Sequence, residues 1–205
     1  MNVAATLDLR PHLGPVRDQG QRPLCLSYAV STAHEYHKGV TTPLSPEYLH
    51  YFASNENGAT IPQVANALRQ DGQPLEMDCP SFSTTPPTGW QPPKGLNVFK
   101  RNTLIDSGSL QSIEHHIGAG TPLVLGITLP KPFYTPQEPW TISSDGSLYA
   151  WHAVLAVGMG TFWGQQFCLI RNSWGSSWGN DGHAWLDAAF LTAHLIQTLA
   201  LTDEA

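Results

Sequence analysis

The chain has 205 residues, of which 41% are hydrophobic, enough for one compact unit or two small lobes. Charged residues make up 13% and the net charge is −6, with no run of Lys or Arg, so the composition disfavours binding to nucleic acid or to anionic membranes by bulk charge. No apolar stretch reaches the roughly 18 residues that span a bilayer, and no signal peptide is evident at the N-terminus.

The first half of the chain has the residue spacing of helices. Apolar residues recur at helical intervals over residues 26–38, 46–54 and 62–70. Ser45 is suited to cap the second of these helices, and Asp71 with Gly72 is suited to end the third. Residues 81–93 are rich in Pro, Thr, Ser and Gly, which predicts a loop between two lobes.

The second half has the pattern of strands, interrupted by one predicted helix at residues 109–117. The predicted strands cover residues 97–103, 123–128, 152–159, 166–171 and 183–186. Helices followed by an antiparallel sheet are typical of an α+β fold, which is therefore the fold class that we predict.

Two distant segments contain residues suited to catalysis by a thiol. The first contains Gln19 and Cys25, and the second contains His152 and Asn172. The separations from Cys25 are 152 − 25 = 127 and 172 − 25 = 147 residues. These values are close to the roughly 130–150 residues that one group of thiol proteases places between its Cys and its His and Asn.

Each of these groups has a chemical role that its position favours. Cys25 follows Pro23 at the predicted start of a helix, where partial positive charge favours a thiolate. An imidazolium at His152 would lower the thiol pKa further and donate a proton to a leaving amine, while the Asn172 amide orients the ring. The backbone N–H of Cys25 and the side-chain amide of Gln19 are suited to stabilise an oxyanion.

Each residue also has a purely structural interpretation. A single Cys is most often a small buried hydrophobe, and a His in an apolar run is usually a core residue. The sequence from Asn172 to Gly175 also fits a strand followed by a turn. Taken together, the order and the separations favour the catalytic interpretation.

Several segments resemble the papain family of cysteine peptidases, over nearly the whole length of the chain. These segments are residues 7–10, 15–20, 44–49, 152–158 and 172–175. The resemblance implies one domain over residues 1–205 with a two-lobe α+β fold and the active site in the cleft between the lobes. It implies a helical left lobe at about residues 13–90 and an antiparallel, barrel-like right lobe at about residues 1–12 and 91–205.

The same resemblance assigns roles to the candidate catalytic residues. Cys25 is expected to be the nucleophile, His152 the acid and base, Asn172 the orienting amide and Gln19 the oxyanion donor. Trp174 is expected to shield the hydrogen bond between His152 and Asn172 from water.

Around the cleft, the resemblance implies a set of substrate-binding residues, namely Gly58, Ala59, Thr60, Gly126, Trp151 and Trp174. The first three stand where family members place a Gly-rich edge that pairs with the substrate backbone. Gly126 lies on the strand that matches the far wall of the main specificity pocket. Trp151 precedes the candidate histidine, at a position where plant members often carry an acid.

Two positions depart from the pattern of the family. Arg22 stands where a disulfide cysteine would be, and Leu26 stands where an aromatic residue would be. A positive side chain near the thiol favours a thiolate, but we expect Arg22 to be solvated at the surface. The chain has only three cysteines, at positions 25, 79 and 168, which favours a reducing compartment.

The predicted function is that of a cysteine endopeptidase that hydrolyses proteins through a thioester acyl-enzyme. One alternative is a deamidase, transglutaminase or isopeptidase with the same triad, and another is a non-catalytic binding module on the same scaffold. We expect a monomer that acts on a protein or peptide substrate and uses no cofactor. We also expect no metal, because the spacing of His34, Glu35 and His37 is not that of a zinc helix.

The sequence reaches Cys25 soon after Met1, without a preceding segment long enough for an inhibitory propeptide. We therefore expect either narrow specificity or control by a separate proteinaceous inhibitor. A compact bacterial toxin effector with a cognate inhibitor, or immunity protein, is one expectation, and a housekeeping or processing peptidase is the other. Either protein would act in a cytoplasm, its own or that of a target cell.

Overall fold

The computed structural model describes residues 2–40, 42–54, 58–144 and 148–204. Three helices lie in the first half of the described chain, and most of a large, mostly antiparallel sheet lies in the second half with two further helices. The predicted α+β class is therefore confirmed. Within the described residues, no helix combines the length and the apolar character needed to cross a membrane.

The longest helix, α1, runs over Cys25–Lys38 and packs against the sheet. Its apolar face buries Leu26, Val30 and Ala33, which explains why a helix forms where the sequence has apolar residues at helical intervals. Gly39 ends the helix in the left-handed conformation, with φ of 66°, which a residue without a Cβ adopts at little cost.

Two shorter helices follow, α2 at Pro46–Ala53 and α3 at Ile61–Gln70. The Ser45 side chain accepts a hydrogen bond from the first turn of α2, as predicted. Thr60 and Gln63 form a capping box at the start of α3, so the N-terminal N–H groups of both helices have side-chain acceptors.

Among the described residues the sheet has eight strands, which are β1 (Ala4–Asp8), β2 (Arg101–Asp106), β3 (Leu123–Pro130), β4 (Thr141–Ile142), β5 (Leu148–Phe162), β6 (Gln165–Arg171), β7 (His183–Asp187) and β8 (Leu195–Glu204). Their order is β2-β8-β3-β5-β6-β7-β4, and β1 pairs with β5. All of these pairs are antiparallel except the one between β4 and β7. The remaining helices are α4 (Leu110–Gly118) and α5 (Ala188–His194).

Strand β5 separates two hydrophobic cores, because successive side chains of a strand point to opposite faces. Val154 and Ala156 lie in the core that also contains side chains of α4 and α5. Ala153, Leu155 and Val157 lie in the core that contains side chains of α1 and α3. The strand that carries His152 is therefore fixed from both sides.

Some element boundaries differ from the predictions. The strand predicted at residues 97–103 begins only at Arg101, because Phe99 exchanges two backbone hydrogen bonds with Gln73 outside the sheet. The opening strand expected at residues 7–10 lies at Ala4–Asp8 and is followed by a 3-10 turn at Arg10–His12.

The sequence did not predict α5 or β8. Leu191, Leu195 and Leu199 are spaced four residues apart, which is the spacing of one helical face. The helix ends at His194 and the chain continues as a strand. Leu199, Ala200 and Leu201 are all buried, so this strand lacks the alternation that identifies a half-buried strand.

Candidate active site

The thiol of Cys25 lies at the first residue of α1 and is half-buried. Among the described residues, no side chain caps this helix end, so its first N–H groups remain available. Burial raises the pKa of the Cys25 thiol, whereas the nearby backbone N–H groups of Ala153, Leu26 and Cys25 itself act to lower this pKa. The sulfur therefore sits where N–H dipoles from a helix start and from β5 converge.

The imidazole of His152 lies on β5. His152 directly precedes Ala153, whose backbone N–H lies near the Cys25 sulfur. The side chain is buried, and its Nε2 donates to Oδ1 of Asn172 over 2.8 Å. Nδ1 is then the ring nitrogen left to exchange a proton with the thiol. Burial lowers the pKa of His152 to about 4, although the hydrogen bond to Asn172 opposes this shift.

Asn172 directly follows β6, and hydrogen bonds to its side-chain oxygen hold its amide in place. Oδ1 also accepts from the backbone N–H of Ser173 over 2.8 Å, and the Asn172 backbone N–H donates to the carbonyl of Gly182 over 2.9 Å. The buried Nδ2 has no hydrogen-bond partner among the described residues. The amide is thus oriented to accept from the imidazole, which fixes the plane of the ring.

Aromatic rings cover the His152–Asn172 hydrogen bond. The Trp174 ring lies 4.7 Å from the His152 ring, and the Phe133 ring lies 5.7 Å from it on another side. Trp178 packs against both of these aromatic rings. Water is kept away from this hydrogen bond, which strengthens it electrostatically.

The side chain of Gln19 joins two parts of the site. Its Nε2 donates to the carbonyl of Arg22 over 2.7 Å, and its Oε1 accepts from the Ser173 hydroxyl over 2.7 Å. Its backbone N–H donates to the Ser173 carbonyl over 2.9 Å. A primary amide has two N–H groups, so the second N–H of Gln19 remains available for a developing oxyanion.

A cavity of about 310 Å³ contains both Cys25 and His152 in its wall. Five of the six predicted substrate-binding residues line the same cavity, namely Gly58, Ala59, Thr60, Gly126 and Trp151. Trp174 is not among the lining residues and instead packs on the His152 ring. Trp151 is 76% exposed at the rim.

Gly126 has a geometric reason to lack a side chain. A Cβ at this position would lie 3.0 Å from Cδ1 of Ile61 and 3.5 Å from the carbonyl oxygen of Gln197. A larger residue would therefore fill the cavity between β3, α3 and β8. Ile61, Gln197 and the neighbouring Ile196 also line the cavity, and the sequence did not identify them because β8 was not predicted.

The prediction that Arg22 is solvated at the surface is wrong. The Arg22 side chain is only 11% exposed and pairs with the buried carboxylate of Glu47 over 2.5 Å. Ser173 was also missed as a partner of Gln19, since the two residues are 154 positions apart in the sequence.

The three cysteines all lie in the described residues and are free thiols, with Cys79 and Cys168 buried. Burial raises the pKa of Cys168 to about 12, which makes it a poor nucleophile next to Cys25. Over the described ranges, no group of three or more His, Cys, Asp or Glu side chains is arranged to hold a metal ion.

The model of the papain family of cysteine proteases matches residues 77–198, which is more than half of the chain and includes His152 and Asn172. Cysteine proteinase 3 of Entamoeba histolytica is 26% identical over 189 residues, which cover 87% of this chain and 61% of that protein. Cathepsin K of Gallus gallus is 27% identical over 186 residues, which cover 85% of this chain and 55% of that protein. The chain thus spans less than two thirds of the length of these relatives.

Solved structures show the same fold. Xylellain, a cysteine protease from Xylella fastidiosa, superposes with a TM-score of 0.79 at 22% identity, over 96% of this chain and 85% of that one. The bromelain protease of Ananas comosus in complex with the E64 inhibitor gives a TM-score of 0.75 at 17% identity, over 96% and 97% of the two chains. The chain therefore belongs to the papain family of cysteine proteases, as its resemblance implied.

Proposed function

We propose that the protein is a cysteine endopeptidase in which Cys25, His152 and Asn172 form the catalytic triad. The observation that supports this most directly is that Cys25 and His152 lie in the wall of one cavity, with the His152 imidazole held by the Asn172 amide over 2.8 Å. A structural cysteine is buried, as Cys79 and Cys168 are, whereas a nucleophilic thiol needs access to the substrate and a base beside it.

In the proposed reaction, Nδ1 of His152 takes the thiol proton as the sulfur forms a bond to the carbonyl carbon of the scissile peptide. The carbonyl oxygen becomes an oxyanion, which accepts hydrogen bonds from the Cys25 N–H and from the free amide N–H of Gln19. When the C=O bond re-forms, the C–N bond breaks and the amine takes the proton from His152. The product is a thioester on Cys25 and a free amine.

Water then releases the acyl group. His152 takes a proton from the water while the water oxygen attacks the thioester carbon. The Cys25 N–H and the Gln19 amide N–H stabilise the second oxyanion as they did the first. Breaking the C–S bond releases a carboxylic acid, and the sulfur recovers its proton from His152. Asn172 holds the imidazole in one orientation through both halves of the cycle.

Burial affects the protonation state of the resting pair. It raises the pKa of Cys25 and lowers that of His152, so on its own it disfavours either charge. Proton transfer within the pair changes no net charge, and the N–H donors at the sulfur favour the resulting thiolate. In the proposed reaction the proton therefore passes directly from Cys25 to His152, without uptake or release of a proton from solvent.

The cavity supports a protein or peptide as the substrate. Its wall is largely apolar, with Leu26, Ile61 and Ile127 beside the two catalytic groups, and it is large enough for an apolar amino-acid side chain. Gly58 lies in the cavity wall beside Pro23, and we propose that an extended substrate backbone runs along this wall.

Two alternatives differ from hydrolysis. A deamidase, transglutaminase or isopeptidase would form the same acyl-enzyme but release ammonia or a side-chain amine, or use an amine acceptor. A binding module on the same scaffold would show no turnover. Mass analysis of treated substrates separates these outcomes, because only cleavage of the main chain creates new N-termini within the substrate sequence.

The test compares the wild type with Cys25→Ala, and uses Cys79→Ala as a cysteine control. Wild type and control should create the same new N-termini in a protein lysate, and Cys25→Ala should create none. A thiol-reactive epoxide should label wild type once, at Cys25. Labelling confined to Cys79 or Cys168 would contradict the assignment, as would equal cleavage by Cys25→Ala.

For the biological setting, we propose a bacterial toxin effector with a proteinaceous inhibitor that covers the cleft. The free state of all three thiols supports activity in a reducing cytosol, since the structure has no covalent bridge to lose. Expression in a bacterial cytosol should arrest growth for wild type but not for Cys25→Ala. Harmless accumulation of active enzyme with no host protein cut would exclude this setting and favour a housekeeping or processing peptidase.

A further inference from the structure

One backbone carbonyl, that of Arg22, holds two parts of the site. It accepts the Nε2–H of Gln19 over 2.7 Å and the backbone N–H of Leu24 over 2.8 Å. Leu24 directly precedes Cys25, the first residue of α1. The position of this single oxygen therefore sets both the direction of the Gln19 amide and the start of the helix that carries the thiol.

The side chain of Arg22 is anchored in turn. Its NH1 group donates to Oε2 of Glu47 over 2.5 Å and lies 3.4 Å from the carbonyl of Phe82. The same Glu47 oxygen accepts the Phe82 backbone N–H over 3.1 Å. The Glu47 side chain is only 1% exposed, so solvent does not compete for its carboxylate.

The neighbouring backbone fits the same arrangement. The Gln21 N–H donates to the Ser83 carbonyl over 3.3 Å, and a Cβ on Gly20 would lie 2.5 Å from that carbonyl oxygen. Residues 20–22 thus lie directly against residues 82–83. Since all three cysteines are free, an ion pair rather than a covalent bond ties this loop to α2.

We propose that Arg22 is a positioning residue for the oxyanion hole, and that its pair with Glu47 holds the carbonyl that aims the Gln19 amide. This proposal rests on the proposed peptidase function. It goes further in assigning an effect on the chemical step to a charged pair that touches neither substrate nor thiol. A pair that served only global stability would have no such link to Gln19.

The test is a double-mutant cycle on kcat and KM for a peptide substrate. One arm of the cycle is Gln19→Ala, and the other is a variant with both Arg22→Met and Glu47→Leu, here called the paired variant. Both residues of the ion pair are replaced so that no unpaired charge remains buried. Arg22→Lys keeps the charge without the planar fork and serves if the paired variant folds poorly. Arg101→Met is the control, since Arg101 is also buried but donates to Thr202 at the far edge of the sheet.

Gln19→Ala should lower kcat roughly 10²–10³-fold, as loss of one oxyanion donor does. The paired variant should lower kcat roughly 10-fold or more with KM within about twofold, because a misplaced donor weakens only the transition state. In the Gln19→Ala background the paired replacement should cost less than about twofold more. Arg22→Lys should lie between wild type and the paired variant, and Arg101→Met should match wild type.

Equal factors in both backgrounds would overturn the proposal, because the pair would then act independently of Gln19. An unchanged kcat with a lower melting temperature would also overturn it, since the pair would then be a stabiliser only.

A measurement without turnover separates this proposal from the proposed function. In protein labelled with ¹⁵N-glutamine, the Gln19 side-chain amide is identified by its loss in Gln19→Ala. Its proton bonded to Arg22 should exchange with solvent at least about tenfold faster in the paired variant and unchanged in Arg101→Met. Unchanged exchange in the paired variant contradicts the positioning role even if the wild type neither cuts peptides nor reacts at Cys25.

Discussion

The cavity beside Cys25 should lose its selectivity when Gly126 is enlarged. Gly126 lies in β3 and faces Ile61 and Gln197 across the cavity. In Gly126→Ala the new Cβ is close to the end of the Ile61 side chain, at 3.0 Å, which a small movement relieves, and it lies in ordinary contact with Gln197 at 3.5 Å. In Gly126→Leu three further carbons enter the space of about 310 Å³ that is proposed to receive a substrate side chain.

The magnitude follows from the apolar surface that the substrate no longer buries. Each buried methylene contributes about 0.8 kcal/mol, so a leucine-sized substrate side chain contributes about 3 kcal/mol when fully enclosed. Losing this amounts to roughly 10²-fold in kcat/KM, because about 1.4 kcal/mol corresponds to tenfold. The alanine variant should lose only about fourfold, the effect of one methyl group.

The assay uses two peptides that differ only at the residue entering the cavity, one with leucine and one with alanine. Gly126→Leu should lose most of its kcat/KM for the leucine peptide and little for the alanine peptide. Gly118→Leu is the matched control, because a Cβ at Gly118 meets no atom within 4 Å and lies on α4, away from the cavity. Thermal unfolding checks that the variants remain folded.

Equal losses for both peptides would refute the reasoning, since the cavity would then not hold this side chain. Unchanged turnover of the leucine peptide by Gly126→Leu would refute it as well. A loss in the Gly118→Leu control would show that the effect comes from folding rather than from the cavity.

Two further predictions concern the orientation of the His152 ring and the burial of His34. Asn172→Ala should lower kcat roughly 10–100-fold, because the His152 ring loses a hydrogen bond that strengthens when the ring is charged. Asn172→Asp keeps the acceptor oxygen and should lose less activity. Equal losses in the two variants would contradict an orienting role for Asn172. Burial lowers the pKa of His34 from 6.5 to about 4, so the unfolded chain binds the proton first as the pH falls. The free energy of unfolding that His34 contributes should therefore be present above about pH 6.5 and decline towards pH 4, by as much as about 3 kcal/mol. Urea unfolding of wild type and of His34→Gln at about pH 7 and about pH 5 should show a smaller decline in the variant. The same decline in both proteins would exclude His34 as the cause.

Residue types and their order were enough to predict the group at the centre of the site. The sequence predicts a thiol at a helix start, an imidazole on a strand and an amide after the next strand. The structure places Cys25 and His152 in the wall of one cavity and joins His152 to Asn172 by a hydrogen bond, while their catalytic roles stay a prediction. Helices α1 to α4 were predicted within one residue at each end, because caps such as Ser45 use side chains close in sequence.

What the sequence did not reveal depends on partners distant along the chain. Arg22 was expected in solvent because nothing nearby in sequence marks Glu47, 25 residues later, as its partner. The contact of Gln19 with Ser173 and the place of Gln197 in the cavity wall were not predicted for the same reason, because both depend on tertiary packing. Local patterns record which residues can form a strand or a helix, but not which polar groups will meet once these elements pack.

The separation between Cys25 and Ala153, whose N–H faces the sulfur, also has a consequence for synthesis of the chain. At about 5–20 residues per second, a ribosome needs roughly 6–25 s to extend from the nucleophile to β5. Strand β1 waits still longer, because Ala4 pairs with Thr161. During this interval the emerging thiol has neither its base nor its N–H donor from β5, so a nascent chain cannot attack neighbouring proteins before most of its own fold is in place.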